Sequence, residues 1–246
     1  MKVGTSRNLG VLIPAFNEQA SVGEVVRRAA KFAGRVLVVD DGSADRTGEA
    51  AASAGAEVIR HPVNRGKGAA LRTGLRALAA RGCDPVIVLD GDGQHDPAEI
   101  PAFLAAARRT GAELVVGNRM DSAGEMPLVR YWTNRTMSAI LSGLIGQKVP
   151  DSQCGYRLLS ARAISALPIS TSNYDAESEM LIGAGKLGFR ISSVPVRTIY
   201  GQEVSKIRPG RDTVRFIRLV LRTLFRGKNE PPMARKKILP DYSRKT

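Results

Sequence analysis

Five short apolar runs in the first 120 residues each end in a polar cluster, and helical patterns separate them; nothing else in the chain constrains the fold as tightly. The runs cover 9–13, 35–39, 56–60, 85–89 and 114–116, and Pro14 is expected to stop the first. Apolar residues at helical spacing predict helices over 21–32, 44–54, 67–80 and 97–109. Ser21 is the expected cap of the first, and Pro97 falls in the first turn of the last, where proline is tolerated. Continuous apolar strands alternating with such helices fold as an α/β unit with a mostly parallel sheet, covered by helices on both faces. Ligands of these sheets bind beyond the carboxyl ends of the strands. The polar clusters stand at those ends: Asn17-Glu18, Asp40-Asp41, His61 to Lys67, Asp90 to Asp96 and Asn118-Arg119.

Beyond Met120 the pattern changes. A helix is expected over 128–145, another over 176–187, a strand near 190–194, a polar loop over 200–210 and a last helix over 211–226. This reads as one domain, residues 1–210, with a basic amphipathic helix and tail at 211–246. Charge follows the same division. The chain of 246 residues has a formal net charge of +14, yet residues 203–246 hold 13 basic and 4 acidic residues, or +9. The rest carries only +5, and the aromatic residues, 5 % of the chain, are not interleaved with basic ones, so nucleic acid is not an expected partner. Arginines at 208, 211, 215, 218, 222 and 226 make a basic stripe beside Phe216, Ile217, Val220, Leu221 and Leu224. Such a helix suits an anionic membrane surface, though the same pattern also fits a helix packed on the domain with its arginines in solvent. Two cysteines, Cys83 and Cys154, cannot build a disulfide framework. With no signal segment at the start and no apolar stretch near the ~20 residues of a span, the expectation is a cytoplasmic protein, peripheral on the inner face of the membrane.

The sharpest local motif is Asp90-Gly91-Asp92-Gly93-Gln94 at the end of an apolar run. Two carboxylates at i and i+2 on a turn, with a nearby amide carbonyl, can hold a hard divalent cation, which in turn neutralises a diphosphate. The same residues also suit an acidic turn that caps the helix at Pro97. Asp40-Asp41-Gly42-Ser43 is a second acidic turn, able to accept hydrogen bonds from a nucleobase or ribose, and Asp45 is a candidate cap for the next helix. Asn64-Arg65-Gly66-Lys67-Gly68 places small residues around a lysine at a helix start, which suits an anion. It lacks the spacing of a phosphate-binding Walker loop, and no Gly-x-Gly-x-x-Gly follows the first strand. No Ser/His/Asp or thiolate constellation is available; of the two histidines, His95 inside the acidic loop is the better functional candidate and His61 the better loop residue. Arg119, Arg130 and Arg135 offer forks that match phosphate geometry.

Taken in order, these blocks resemble the family 2 glycosyltransferases, and within them the dolichol- or polyprenyl-phosphate mannosyltransferase group. The resemblance rests on Leu12-Ile13-Pro14-Ala15-Phe16-Asn17-Glu18, Val38-Val39-Asp40-Asp41-Gly42-Ser43 with Asp45 and Thr47, and Asn64 to Gly68. It continues through Leu89 to Pro97, Gly117-Asn118-Arg119, Asp151-Ser152-Gln153-Cys154-Gly155-Tyr156-Arg157, Tyr200-Gly201 and Ser205-Lys206. It implies a GT-A fold, a Rossmann-like sheet with an Asp-x-Asp metal turn. By position, Pro14, Phe16, Glu18, Val38 and Asp40 would line the nucleoside pocket, and Asp90, Gly91 and Asp92 would meet ribose, metal and diphosphate. Asp92 and Gln94 would be the ligands of Mg²⁺ or Mn²⁺. Arg119 and Lys206 would contact the donor, and Arg119 with Arg130 the acceptor phosphate.

The implied reaction is inverting transfer of mannose or glucose from a nucleotide-sugar, GDP-mannose favoured and UDP-glucose the other choice, to a polyprenyl monophosphate. Its anionic acceptor needs little or no general base, so Asp92, Arg119 and Arg130 act by positioning and charge, and an assisting role for Glu177 is secondary. Phe16 stands where the family often has Tyr, and Thr198 where some members carry a donor-binding Arg. The family's frequent C-terminal membrane spans and the Gln-x-x-Arg-Trp block of processive synthases are not seen. A soluble or protein-bound acceptor is the alternative enzyme reading, and a non-catalytic basic membrane-binding module the alternative of another class.

Overall fold

A computed structural model describes residues 6–121, 126–167, 169 and 176–199. All lie within the unit Met1–Ile207. The expected loop over 200–210, with Lys206, and the helix over 211–226 fall outside the described residues.

Seven strands form one sheet: β1 (Ser6–Ala15), β2 (Ala33–Asp40), β3 (Glu57–Arg60), β4 (Val86–Val88), β5 (Leu114–Asn118), β6 (Arg157–Leu159) and β7 (Ile191–Pro195), in the order β3-β2-β1-β4-β6-β5-β7. All pairings are parallel except those of β6, which runs antiparallel to both β4 and β5. The helices are α1 (Val22–Ala29), α2 (Thr47–Ser53), α3 (Lys67–Ala80), α4 (Ile100–Thr110), α5 (Leu128–Ile145), α6 (Ala161–Ala166) and α7 (Ala176–Lys186). The expected helix at Pro97 is two elements, a 3-10 turn over Pro97–Glu99 capped by Asp96 and then α4. Leu9, Val11 to Ile13, Leu37 to Val39, Val86, Ile87, Leu114 and Val115 are completely buried, as the apolar runs require. Each contributes about 1.5–3 kcal/mol of burial.

Pro14 does not stop β1. Leu12 O accepts from the Leu89 N–H toward β4 at 3.1 Å, and Ala15 O accepts from the Asp41 N–H toward β2 at 2.9 Å. By alternation Pro14 faces the β4 side, past the last pair Leu12–Val88, so no ladder bond needs the N–H that proline lacks. Because β1 to β3 wind one way and β4 lies on the other side of β1, the strand order reverses between β1 and β4. The crevice beyond that point is where such sheets bind ligands.

Candidate active site

The loops after β1 and β2 are laced to each other. Ser43 Oγ accepts from the Asn17 N–H at 3.0 Å, Asn17 Oδ1 accepts from the Ala44 N–H at 2.9 Å, and Thr47 Oγ accepts from the Glu18 N–H at 2.8 Å. Asp45 accepts from the Thr47 N–H at 3.0 Å and from the Gln19 N–H at 3.2 Å, but it is not the cap expected of it: Arg46 holds the N-cap position of α2, without a side-chain capping bond. Ser43, Asp45 and Thr47 therefore hold the Phe16–Glu18 loop. Phe16 stays exposed on it, Glu18 and Pro14 are buried, and Val38 is fully buried two residues short of the end of β2. Asp40 Oδ1 accepts from the Ser43 N–H at 2.9 Å; its buried Oδ2 has no hydrogen-bond partner and lies 3.5 Å from Arg60 Nε.

The anion expected at the start of α3 is supplied by the protein itself. Asp41 accepts from the Arg65 N–H at 3.0 Å, the Gly66 N–H at 2.7 Å and His61 Nδ1–H at 2.6 Å. A helix start that draws a phosphate elsewhere is filled here by a carboxylate. Gly42 permits the approach: its φ is +73°, and a Cβ there would meet the Val63 carbonyl carbon at 2.5 Å. Lys67 points to carboxylates as well. Its Nζ is 2.6 Å from Asp90 Oδ1 and 2.9 Å from Glu177 Oε1. Burial alone would lower the Lys67 pKa, but Asp90 and Glu177 raise it, so the ammonium stays charged. The role of Lys67 as an anion ligand is thus corrected: it neutralises the site's own acids.

The acidic turn follows β4. Ser21, expected to cap α1, has no capping bond; its hydroxyl donates to Gly91 O at 2.7 Å and ties α1 to the turn. Gly91 also faces Ala15, Ile13 and Glu18, which brings the ends of β1 and β4 together. Asp92 Oδ1 accepts from the Gln94 N–H at 3.0 Å. Burial, Asp90 and Glu18 push its carboxyl up to about 6. Burial would raise Asp90 as well, but Lys67 beside it holds that carboxyl below the ordinary range. His95, the better functional candidate of the two histidines, is built into the scaffold of the turn. It is buried, its Nδ1 accepts from the Asp90 N–H at 3.3 Å, Tyr156 lies against its ring, and burial lowers its pKa to about 4. Thr198 bridges to His95 in β fashion, and the Ile199 N–H donates to Gln94 O at 3.0 Å. Thr198 and Ile199 are therefore docked on the acidic turn.

The second wall comes from β5, α5 and the 151–157 segment. Arg119 donates from Nε to Asp151 Oδ2 at 2.7 Å and from Nη2 to Asp151 Oδ1 at 2.9 Å, and its backbone N–H reaches Oδ2 at 3.1 Å. Nη1 is the guanidinium nitrogen not bonded to Asp151. Asn134 of α5 also donates to Asp151, at 2.7 Å. Arg130 precedes Asn134 by four residues, so it stands one turn nearer the helix start on the same face, half-buried. Arg157, completely buried, donates to Cys154 O, Glu177 O and Ser152 O at 2.7 to 2.9 Å. It joins the 151–155 segment to the first turn of α7. Sequence reasoning missed the parts of Arg157, Asp151, Asn134 and Ser21; for Asp151 and Arg157 the signal was their place in one motif block.

A divalent cation suits this donor set. Among the described residues no three His, Cys, Asp or Glu side chains form a ready cage. Mg²⁺-type ions, however, are commonly held by one or two protein oxygens plus substrate phosphates. Asp92, with its ionised form disfavoured beside two other carboxylates, and Gln94 supply oxygen ligands of the right hardness.

A doubly wound sheet presenting an Asp-x-Asp turn at its switch point is the GT-A glycosyltransferase fold. The sequence model described as glycosyl transferase family 2 matches residues 10–167, and the chain belongs to that family. It is 34 % identical to an undecaprenyl-phosphate mannosyltransferase of Micrococcus luteus, over 75 % of this chain and 81 % of the relative. It is 32 % identical to a UDP-N-acetylglucosamine–dolichyl-phosphate N-acetylglucosaminyltransferase of Methanococcus voltae, over 77 % and 85 %. Among solved structures, a glucosyl-3-phosphoglycerate synthase of Mycobacterium tuberculosis, in complex with Mn²⁺, UDP and glucosyl-3-phosphoglycerate, superposes with a TM-score of 0.65. It is 26 % identical and the match covers 90 % of this chain and 80 % of that one.

Proposed function

We propose that this glycosyltransferase moves a hexose, mannose or glucose, from a nucleoside-diphosphate sugar to a polyprenyl monophosphate with inversion at the anomeric carbon. The observation that carries the reading is the Asp90–Gln94 turn at the switch point, with Glu18 and Asp40 on one side and Arg119 on the other. Similarity to polyprenyl-phosphate sugar transferases supports the acceptor class. The UDP held by the M. tuberculosis enzyme supports a uridine donor beside the guanosine one.

An acceptor phosphate oxygen attacks the anomeric carbon from the face opposite the leaving group. The new C–O bond forms as the bond to the nucleoside diphosphate breaks, and the diphosphate departs with the electron pair. The attacking oxygen is already anionic, so no proton has to be removed, and the chain's residues act by orientation and charge. Phe16 and Glu18 would bound the nucleoside, backed by the buried Pro14, Val38 and Asp40, with Asp90 and Gly91 on the ribose side and Thr198 and Lys206 toward the donor. Arg119 Nη1 and Arg130 face the acceptor phosphate. Asp92 and Gln94 would hold Mg²⁺ or Mn²⁺, which offsets the charge of the departing diphosphate.

Attachment to the inner face of a membrane belongs to the same proposal. Residues 211–246 supply a basic amphipathic segment in sequence, and α5 adds an exposed apolar flank. Leu128, Val129 and Trp132 are 75 %, 74 % and 61 % exposed, beside Arg130 and Arg135 and with no acidic residue in the helix. No helix of the described residues is long and apolar enough to cross a membrane.

The test is a matrix of nucleotide-sugars against polyprenyl phosphates, phosphoglycerate and other soluble acceptors, with Mg²⁺, Mn²⁺ or chelator, on wild type and Asp92→Ala. Expected is metal-dependent product on a polyprenyl phosphate, lost in Asp92→Ala while its thermal unfolding is unchanged. Turnover only on soluble acceptors rejects the acceptor class, and no donor binding at all rejects the enzyme.

A further inference from the structure

Lys67 is half-buried between two carboxylates, 2.6 Å from Asp90 and 2.9 Å from the buried Glu177, and both partners come from distant segments. Neither arrangement nor cost suggests a stability device, since taking charges out of water offsets most of what their pairing gains. One oxygen of the triad, the buried Glu177 Oε2, has no hydrogen-bond partner among the described residues. The other oxygen of Asp90 is confined by backbone: a Cβ added at Gly155 would lie 2.5 Å from Asp90 Oδ2 and 3.0 Å from Lys67 Nζ. The Asp90 N–H is fixed by His95. Lys67 and the Gly155 backbone thus hold the Asp90 carboxylate in one orientation, whereas the Asp92 carboxylate accepts the Gln94 N–H inside its own turn.

We infer that Lys67, anchored by Glu177, is a positioning residue that keeps Asp90 from turning onto the cation, leaving Asp92 and Gln94 as its protein ligands. The inference rests on the metal reading of the turn proposed above. Asp90 then keeps a fixed carboxylate edge for the donor, and the cation's remaining positions stay open to the donor's phosphates. Without the ammonium, Asp90 gains freedom and the site loses a positive charge, and both changes favour direct capture of the cation by the empty protein.

The test is Mn²⁺ binding to the nucleotide-free protein, followed by electron paramagnetic resonance, in wild type, Lys67→Met, Asp90→Asn and the double variant. Lys67→Met is expected to bind Mn²⁺ at least about tenfold more tightly while its turnover falls. Asp90→Asn is expected to cost little in wild type and to erase the gain in the Lys67→Met background. Equal losses from Asp90→Asn in both backgrounds, or no gain in a folded Lys67→Met protein, overturn the inference. Should Lys67→Met fail to fold, Glu177→Gln keeps the Lys67–Asp90 pair but loosens it, and a gain of about threefold is expected; none overturns it. Wild-type Mn²⁺ binding that Asp92→Ala abolishes but these variants leave unmoved rejects the positioning role alone. Binding in no variant rejects the metal reading with it.

Discussion

Asp151 offers the sharpest test of how the second wall is built. Four donors converge on its completely buried carboxylate: Arg119 Nε, Nη2 and backbone N–H, and Asn134 Nδ2, at 2.7 to 3.1 Å. Asp151→Asn changes no volume but replaces one acceptor oxygen with an amide N–H that opposes an incoming donor, and it strands the Arg119 cation in the interior. Removing one partner of a buried pair costs about 3–5 kcal/mol. In a chain of this size that corresponds to a fall in Tm of roughly 6–20 °C. The pH dependence has a defined sign. Burial alone would raise the Asp151 carboxyl, but the Arg119 guanidinium and the hydrogen bonds of Arg119 and Asn134 hold it below its ordinary value. Its contribution is therefore complete above the unfolded pKa of about 3.9 and is lost as pH falls toward the lower folded value. Urea unfolding of wild type and variant at pH 7 and at steps down to about pH 3 reads both effects, and the gap between the two proteins should narrow in the acid range. A cost below about 1 kcal/mol at pH 7 would refute the view that this pair is a dry, fully engaged ion pair. Arg119→Met/Asp151→Leu, which removes both charges, should cost less than Asp151→Asn alone.

Gly42→Ala places a Cβ against the Val63 carbonyl at a residue with φ +73°, so it should destabilise by about 2 kcal/mol or more and displace the Asp41–His61 contact. Chemical denaturation measures the first effect and the His61 NMR signal the second; a neutral substitution rejects the close approach. Trp132 is the chain's single tryptophan and largely exposed, so its fluorescence reports on α5 alone. Anionic vesicles should shift that emission to the blue, neutral ones much less. Trp132→Ala should weaken vesicle co-sedimentation at unchanged Tm, and removal of residues 211–246 should weaken it further. An emission spectrum indifferent to anionic vesicles removes α5 from the membrane face.

What the sequence disclosed and what it hid follow from the range of each interaction. The spans of α3 and α5 were legible to the residue, because a helix of 14 or 18 residues repeats its period several times. β6 was not: three residues beginning with a charged one, Arg157, carry no period, and the strand exists because β4 and β5 flank it on both sides. The polar ends of β1, β2 and β4 were legible as a site, since a parallel sheet dictates where ligands bind. The partners of Lys67 were hidden. A lysine between glycines at a helix start reads as a ligand for an external anion, and only the fold brings it to Asp90, 23 positions away, and Glu177, 110 positions away. The contact of His95 was hidden for a related reason, because an acidic loop in sequence does not show that the Asp90 N–H takes the acceptor nitrogen of the ring.

The same ion pairs bear on why this site should need a metal. Lys67 is committed to Asp90 and Glu177, and two nitrogens of the Arg119 guanidinium are committed to Asp151. Lys67 and Arg119 therefore already offset internal acids, while Asp92 lies close to Glu18. A sugar nucleotide would bring a diphosphate to a turn whose nearest groups are carboxylates, and repulsion between them grows as burial lowers the local dielectric. A divalent cation held by Asp92 and Gln94 would reverse that balance by offsetting the charge of the diphosphate. Nucleotide affinity should consequently fall steeply with chelator, and more steeply for a nucleoside diphosphate than for the nucleoside. Equal losses for both by isothermal titration would show that the charge of the diphosphate is balanced by the chain's own residues.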